Sequence, residues 1–456
     1  MNELEMGILE KIKPDEGDEK EVLGIGEKLL RETRREVEKV DAGIIPILVG
    51  SISRGTWLKY EKDVDIFLKF PTKYEKEELE KVVTKTARKI LKNPVKRYAQ
   101  HPYVTGEYEG YEVEIVPCYD IESTSQLKSA VDRTPFHDRF IKANIEGGED
   151  EVRLLKQFLK GVGCYGAEAK VEGFSGYLCE LLIVFYGSFE NVVKSALNWE
   201  AQHVIDLYDD YDREEVSKKF SSPLVFIDPV DKNRNVASAL SEQKFYEFAV
   251  AAREFLKSPS EKFFFPEKRR VERAKLLKKF GERTTSLIAI TFSKPNVVDD
   301  VLYPQLRRAC HTIKNVLNEN DFRLMGLDFS VSDKVYILVE LENIEIPTSK
   351  IHFGPQINSP QEEKFLKKYE DFEKKLTEPF IKGDRWCILI EREYTNAKDL
   401  LVEFLSQKDL GKRGMPRYIS AEIGRGFEIK VNKGVFLEEF LGFLQGYLDP
   451  RFPWQS

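Results

Sequence analysis

Along residues 21–40 apolar side chains recur at Val22, Ile25, Leu29, Val37 and Val40 among charged neighbours, the spacing of an amphipathic surface helix. The run Ile44-Ile45-Pro46-Ile47-Leu48-Val49 that follows is short and β-branched and stops at Gly50, so it predicts a buried strand meeting a turn. Asp63 to Phe70 predicts a second strand and Tyr111 to Val116 a third, with a helix over 74–92 between them. Residues 1–138 therefore predict an α/β unit with a mixed sheet. From 139 to 262 the period becomes mainly helical, most clearly at Glu151–Lys160, Gly176–Tyr186 and Glu242–Leu256. A linker is expected at Ser258-Pro259-Ser260. Beyond it, Lys334–Glu342 and Arg385–Glu393 predict strands, and Tyr303–Glu319 and Gln361–Leu376 predict helices, giving a further α/β or α+β unit over 263–456.

Composition narrows the class. At 41% hydrophobic, 33% charged and 12% aromatic residues the chain can build sizeable cores, which excludes wholesale disorder. Its 456 residues imply about two to four domains. Five cysteines, Cys118, Cys164, Cys179, Cys310 and Cys387, form no CxxC pair, the usage of reduced thiols in a cytosolic protein. No signal-peptide core opens the chain, and no apolar run approaches the roughly 18 residues of a membrane span. The net charge of −7 argues against a nucleic-acid partner, but it is a sum over unlike parts: split after residues 138 and 262, the segments carry −5, −5 and +3.

The candidate chemistry lies in Gly50-Ser51-Ile52-Ser53-Arg54-Gly55-Thr56-Trp57 and in Asp63-Val64-Asp65 just after it. Alternate side chains of a strand share a face, so Asp63 and Asp65 project together while Val64 and Ile66 face a core. Paired carboxylates repel unless a cation neutralises them, and a hard oxygen site of this kind suits Mg²⁺ held together with substrate phosphates. The glycine-serine turn offers backbone N–H groups and a hydroxyl to a phosphate. In-line displacement at phosphorus between two ions needs a third carboxylate, and Glu112 and Glu114 both fit. An Asp-x-Asp alone is more often solvated strand surface. The combination is what carries the signal.

Taken with HPYVTGEYEGYEVEIVPCY, KSAVDRTPFH, EVRLLKQFLKGVGCYGAE, GFSGYLCELLIVFYGSF, DPVDKNRNVA and KPNVVDDVLYPQLRRA, these motifs resemble the nucleotidyltransferases of the DNA polymerase β superfamily. Within it they resemble the archaeal, class I CCA-adding enzymes, over nearly the whole chain. The resemblance implies a polymerase β-like nucleotidyltransferase head over 1–138, a helical nucleotide-binding neck over 139–262 and an α+β tRNA-binding body and tail over 263–456. It also implies a cytoplasmic homodimer that uses CTP, ATP and Mg²⁺. The implied reaction adds C, C and A to the tRNA 3′ end without a nucleic-acid template, releasing pyrophosphate, with the acceptor and TΨC arms held by the final third. Carried onto this chain, Asp63, Asp65 and Glu114 become the catalytic, Mg²⁺-binding carboxylates. Ser51, Arg54, His137, Lys156 and Tyr165 become contacts to the nucleotide, and Arg234 lies near its base. The third carboxylate is often Asp in this family, so Glu112 competes with Glu114.

The residues themselves leave alternatives. Lys156 shares a helix side with Val152, Leu155 and Leu159, and its partner is either a triphosphate or water reached by snorkelling. Tyr165, among Gly161, Gly163 and Gly166, is either presented by a tight turn or packed in a core. His137 is a nucleotide contact or a structural loop histidine, the reading also given to His101. Arg234 reads a base edge or pairs with Asp231 in a loop. Ser175 is a helix cap, and Cys118 and Cys179 are packed small hydrophobes. RNA contact is expected from Lys268-Arg269-Arg270, from Arg307 and Arg308, and from the acid-free loop Gly411–Tyr418 with Lys412, Arg413 and Arg417, although charge runs are usually solvated faces. The rival functions are a poly(A) polymerase or oligoadenylate synthetase, and a non-catalytic RNA-binding protein on the same scaffold.

Overall fold

The computed structural model describes residues 2–98, 102–209 and 211–455; His101 lies outside them. Two compact units result, Met1–Lys268 with Phe452–Ser456, and Arg269–Arg451.

The first unit opens with helices α1 (Glu3–Ile12) and α2 (Glu16–Glu38). Asp15 starts α2 by accepting from the amides of Gly17 and Asp18, each at 2.9 Å, which satisfies donors the helix leaves unpaired. Val22, Ile25, Leu29 and Val37 form the buried stripe, whereas Val40 lies past the helix end and is exposed. There follow β1 (Ile45–Val49), the single turn α3 (Gly50–Ser53), β2 (Asp63–Phe70), α4 (Lys76–Ile90), β3 (Lys92–Tyr98), β4 (Pro102–Tyr108) and β5 (Tyr111–Tyr119). They build one mixed sheet in the order β1-β2-β5-β4-β3, in which β2 and β5 are parallel and the other pairs antiparallel. The β3–β4 hairpin escapes the hydrophobic pattern because β3 is an edge strand carrying Lys92, Pro94, Lys96 and Arg97, polar and prolyl in the way edges resist further pairing. One sheet face buries Val64, Ile66, Leu68, Val113 and Ile115 together with Leu29 of α2 and Val83 of α4. The opposite face carries the acidic residues and, further along, packs Phe67, Val116 and Cys118 with Val49.

The same unit continues through α5 (Thr134–Asn144), α6 (Glu149–Gly161), α7 (Gly176–Tyr186), α8 (Phe189–Ser195), β6 (His203–Ile205), α9 (Arg213–Lys219), β7 (Leu224–Asp228), β8 (Asp231–Asn235) and α10 (Glu242–Lys257). Its core centres on Phe158, whose ring lies 5.3–6.2 Å from those of Phe189, Phe248, Phe255, Phe263 and Phe264. Burying one such ring contributes about 1.5–3 kcal/mol. The three-stranded sheet β6-β7-β8 departs from the mainly helical expectation: β7 is a wholly buried run too short to display a period. Trp454 also joins this core, stacked on Phe263 at 5.4 Å with its Nε1 donating to Glu254 at 2.5 Å.

The second unit comprises α11 (Arg273–Arg283), β9 (Ser286–Ser293), α12 (Asp299–Glu319), β10 (Leu324–Val331), β11 (Lys334–Leu341), β12 (Ser349–Gln356), α13 (Glu362–Glu370), β13 (Phe380–Lys382), β14 (Arg385–Glu391), α14 (Ala397–Leu405), α15 (Arg417–Arg425), β15 (Glu428–Val431) and α16 (Leu441–Leu448). Two antiparallel sheets, β10-β11-β9-β15 and β12-β14-β13, give it an α+β architecture. The helix expected over Gln361–Leu376 stops at Glu370, because the Leu376 amide donates instead to Leu389 O of β14 at 2.8 Å. Among the described residues no single helix is long and apolar enough to cross a membrane.

Candidate active site

Strand β1 delivers the chain to Gly50 at φ +83°, a left-handed conformation that L side chains rarely adopt. A second constraint acts there: a Cβ on Gly50 would overlap Oδ2 of Asp65. The turn and the carboxylate are therefore packed backbone against side chain. In the parallel pairing of β2 and β5, Asp63 stands beside Glu112 and Asp65 beside Glu114, which places all four acids on the face away from the α2 and α4 core.

A cavity of about 410 Å³ opens over this face, walled by Gly50, Arg54, Asp65, Glu114, His137 and Tyr177. Glu114 faces it, whereas Glu112 and Asp63, each exposed near the start of its strand, do not line it. Burial raises the Asp65 carboxyl to about 6, with Asp63 and Asp138 adding to the shift and Arg54 opposing it. Glu114 rises to about 7, mainly through burial and then through Asp65, Glu112 and Asp63. Burial raises Asp63 as well, helped by Glu61 and Glu112. The group shares an energetic need for positive charge. Among the described residues no three His, Cys, Asp or Glu side chains close into a metal cage.

The expected phosphate contacts are placed unequally. Arg54 reaches the cavity wall, its Nε donating to Glu180 Oε1 at 2.9 Å and its Nη1 lying 3.6 Å from Asp138. Ser51 is half-buried on α3 and is not part of the wall. Lys156 is 1% exposed, which overturns the snorkelling alternative. Its Nζ donates to Thr56 O at 3.0 Å behind the wall, and burial lowers its pKa, with the Glu180 charge opposing. Tyr165 lies beside it: a Cβ on Gly176, the first residue of α7, would stand 3.2 Å from the Tyr165 hydroxyl and 3.9 Å from Lys156 Nζ. Lys156 and Tyr165 thus meet at a helix N-terminus whose Ser175 cap accepts from Leu178 N at 3.1 Å.

On the other side of the cavity His137, on α5 rather than in a loop, stacks on Tyr177 with ring centroids 4.1 Å apart. Its Nε2 is 2.9 Å from Oδ2 of Asp228, the same fully buried oxygen that accepts from Arg234 Nη1 at 2.7 Å. The alternative ion pair between Asp231 and Arg234 does not form. Asp231 instead takes Arg133 Nε at 2.6 Å, and Arg234 lies on strand β8. Glu180 and Asp228 are not singled out by the sequence pattern. The available signal was a single charge in the otherwise apolar α7, GYLCELLIVFY, and an Asp closing the apolar run of β7.

In the second unit Arg307 and Arg308 lie on α12, half-buried and exposed respectively. Lys412 and Arg413 stand exposed on a short 3₁₀ turn, Lys412 paired at 2.9 Å with Asp409 just before it, and Arg417 opens α15 with its guanidinium 5.7 Å from the Tyr418 ring. The segment is a turn and a helix start rather than a loop. Arg269 is spent within the fold, on the backbone and carboxylate of Asp449.

A glycine turn packed on a two-strand acidic face defines a nucleotidyltransferase domain, and a family model of that description, "Nucleotidyltransferase domain", matches residues 27–137. The models "tRNA nucleotidyltransferase, second domain" and "CCA-adding enzyme, C-terminal domain" match residues 150–265 and 283–432. Curated CCA-adding enzymes from Methanosarcina mazei (41% identity, 94% of each chain), Archaeoglobus fulgidus (40%, 94% of each) and Halobacterium salinarum (33%, 97% of this chain and 98% of that one) align end to end with this sequence. The chain belongs to the CCA-adding enzyme family. Among solved structures, a Cid1 poly(U) polymerase superposes on 56% of this chain and 94% of its own with a TM-score of 0.46 at 12% identity.

Proposed function

We propose that this chain adds C, C and A to the 3′ end of tRNA, taking CTP twice and ATP once, without a nucleic-acid template and with release of pyrophosphate. The observation that carries the reading is the Asp65–Glu114 pair beside Gly50, in a chain alignable over its length with CCA-adding enzymes. Asp63, Asp65 and Glu114 would hold Mg²⁺, for which their hard carboxylate oxygens are suited once deprotonated. When bound, the metal lowers the pKa of the attacking 3′-hydroxyl and neutralises charge on the triphosphate.

The remaining work falls to the chain's own groups. Arg54 and Ser51, beside the glycine turn, hold phosphate oxygens from the head. Lys156 and Tyr165 hold them from the helical side, where Lys156 exchanges the Thr56 carbonyl for a phosphate oxygen. Arg234, fixed by Asp228, presents its guanidinium to the acceptors of cytosine or adenine, and His137 closes the cavity beside Tyr177. The division into a head (1–138), neck (139–262) and tRNA-holding body and tail (263–456) belongs to this proposal. So do RNA contacts through Arg307, Arg308, Lys412, Arg413 and Arg417, homodimer formation, and action in the cytoplasm, the last supported by five buried, unpaired cysteines.

The test uses tRNA ending before its CCA. Two additions are expected with CTP alone, none with ATP alone, and three with both. Long A tails on unstructured RNA would favour a poly(A) polymerase, and absence of any extension would overturn the proposal.

A further inference from the structure

Glu180 is a carboxylate with no exposed surface, set in an α7 whose other residues are apolar or aromatic apart from Gly176. Burying an ionised carboxylate is tolerated only with compensating partners. Those partners come from the segment just after the glycine turn: Glu180 Oε1 accepts from Arg54 Nε at 2.9 Å and from Thr56 Oγ1 at 2.6 Å. Thr56 passes the link on, because its carbonyl receives Lys156 Nζ at 3.0 Å and its hydroxyl lies 3.5 Å from the same ammonium. Glu180 Oε2 is buried without a hydrogen-bond partner. An apolar helix core has no need of such a group. Its two bonds instead fix Arg54, a long cationic arm of the cavity wall, and Thr56, the residue on which Lys156 rests.

We infer that Glu180 is a positioning residue of the triphosphate site, aiming Arg54 directly and Lys156 through Thr56. The inference rests on the reading of Arg54 and Lys156 as phosphate contacts and adds what holds them in place. Glu180 does not line the cavity. Its effect is therefore on how well the site receives triphosphate, and it is the same for CTP and ATP, since both bases lie at the far side by His137 and Arg234.

The experiment measures KM and kcat for CTP and ATP on tRNA lacking its CCA end. Glu180→Met keeps the side-chain length and removes both acceptors. It is expected to raise both KM values by about tenfold or more while kcat at saturating nucleotide changes less than about threefold. Glu180→Gln retains an oxygen for Arg54 and Thr56 and is expected to stay within about threefold of the parent in KM. Because Glu180 acts through Arg54 and, by way of Thr56, through Lys156, the KM increment of Glu180→Met should shrink in an Arg54→Ala background and largely vanish in an Arg54→Ala/Lys156→Met background, which a general loss of packing would not produce. If Glu180→Met fails to fold, Glu180→Asp is read in its place, keeping the charge and withdrawing the oxygens by one methylene. A folded variant with unchanged KM, an increment that persists without both Arg54 and Lys156, or a Gln variant no better than Met would overturn the inference. An Arg54→Ala protein with unaltered KM would remove the reading of Arg54 itself, and the inference with it.

Discussion

The Asp65 carboxylate occupies the space that any side chain at position 50 would need, because a Cβ on Gly50 would overlap its Oδ2. Gly50 is at φ +83°, so an L residue there is strained even before the overlap. Gly50→Ala is expected to cost about 1–2 kcal/mol in backbone conformation and to displace Asp65 from the cavity. The protein should remain folded by circular dichroism while CTP incorporation falls by on the order of a hundredfold or more.

Glu114 faces the cavity and Glu112 does not, so the two glutamates should separate cleanly. Glu114→Gln is expected to lower kcat by on the order of a hundred- to a thousandfold, as loss of a group aimed at the reacting charge does. Glu112→Gln should cost less than about threefold, since it alters only a nearby exposed charge. Steady-state kinetics at saturating CTP decides, and equal losses would mean that both carboxylates serve the site.

The raised acids set a pH dependence. With folded-state pKa values near 6 for Asp65 and 7 for Glu114, both above the ordinary carboxylate range, the folded protein binds more protons than the unfolded chain between about pH 4 and 7. Stability from these groups therefore falls as pH rises through that window. Metal-free protein should lose part of its thermal stability between pH 5 and pH 7.5. Added Mg²⁺ should restore it at pH 7.5 and have little effect at pH 5, and Asp65→Asn should flatten the dependence. Melting curves across pH check all three.

Asp228 fixes Arg234 and His137 through one buried oxygen. Asp228→Ala would leave both groups without that acceptor, at a cost of about 1–3 kcal/mol. The ratio of kcat/KM for CTP and ATP should shift by about tenfold, whereas Asp231→Ala, which frees Arg133 rather than Arg234, should leave the ratio within about twofold.

Lys412, Arg413 and Arg417 are exposed, while Arg269 is engaged with Asp449. Replacing each of the first three with Ala is expected to weaken tRNA binding severalfold and to lower the salt slope by roughly one for each phosphate no longer neutralised. Arg269→Ala should instead appear in the melting temperature, through a partly buried pair worth about 1 kcal/mol, with little change in salt slope.

Strands and helices that bury a periodic face were legible in the sequence. β2 has the expected limits, Asp63 and Phe70, and α7, apolar nearly all round, was legible from its length rather than from a period. The edge hairpin β3–β4 and the buried β7 carry no period to read, one being polar and the other apolar throughout. At the site, the shared face of Asp63 and Asp65 follows from strand alternation alone. The choice between Glu112 and Glu114 does not, because both have the same parity and only the course of the cavity separates them. Asp228 and Glu180 escaped for a related reason: a buried acid declares its role through partners distant in the chain, Arg234 and His137 for one, Arg54 and Thr56 for the other.

Parallel neighbours cannot be joined by a tight turn, and between β2 and β5 the chain runs out through α4 and back through the β3–β4 hairpin. During synthesis Asp63 and Asp65 thus emerge well before the glutamate that completes their set, and the mutually repelling acids come together only when β5 docks on β2.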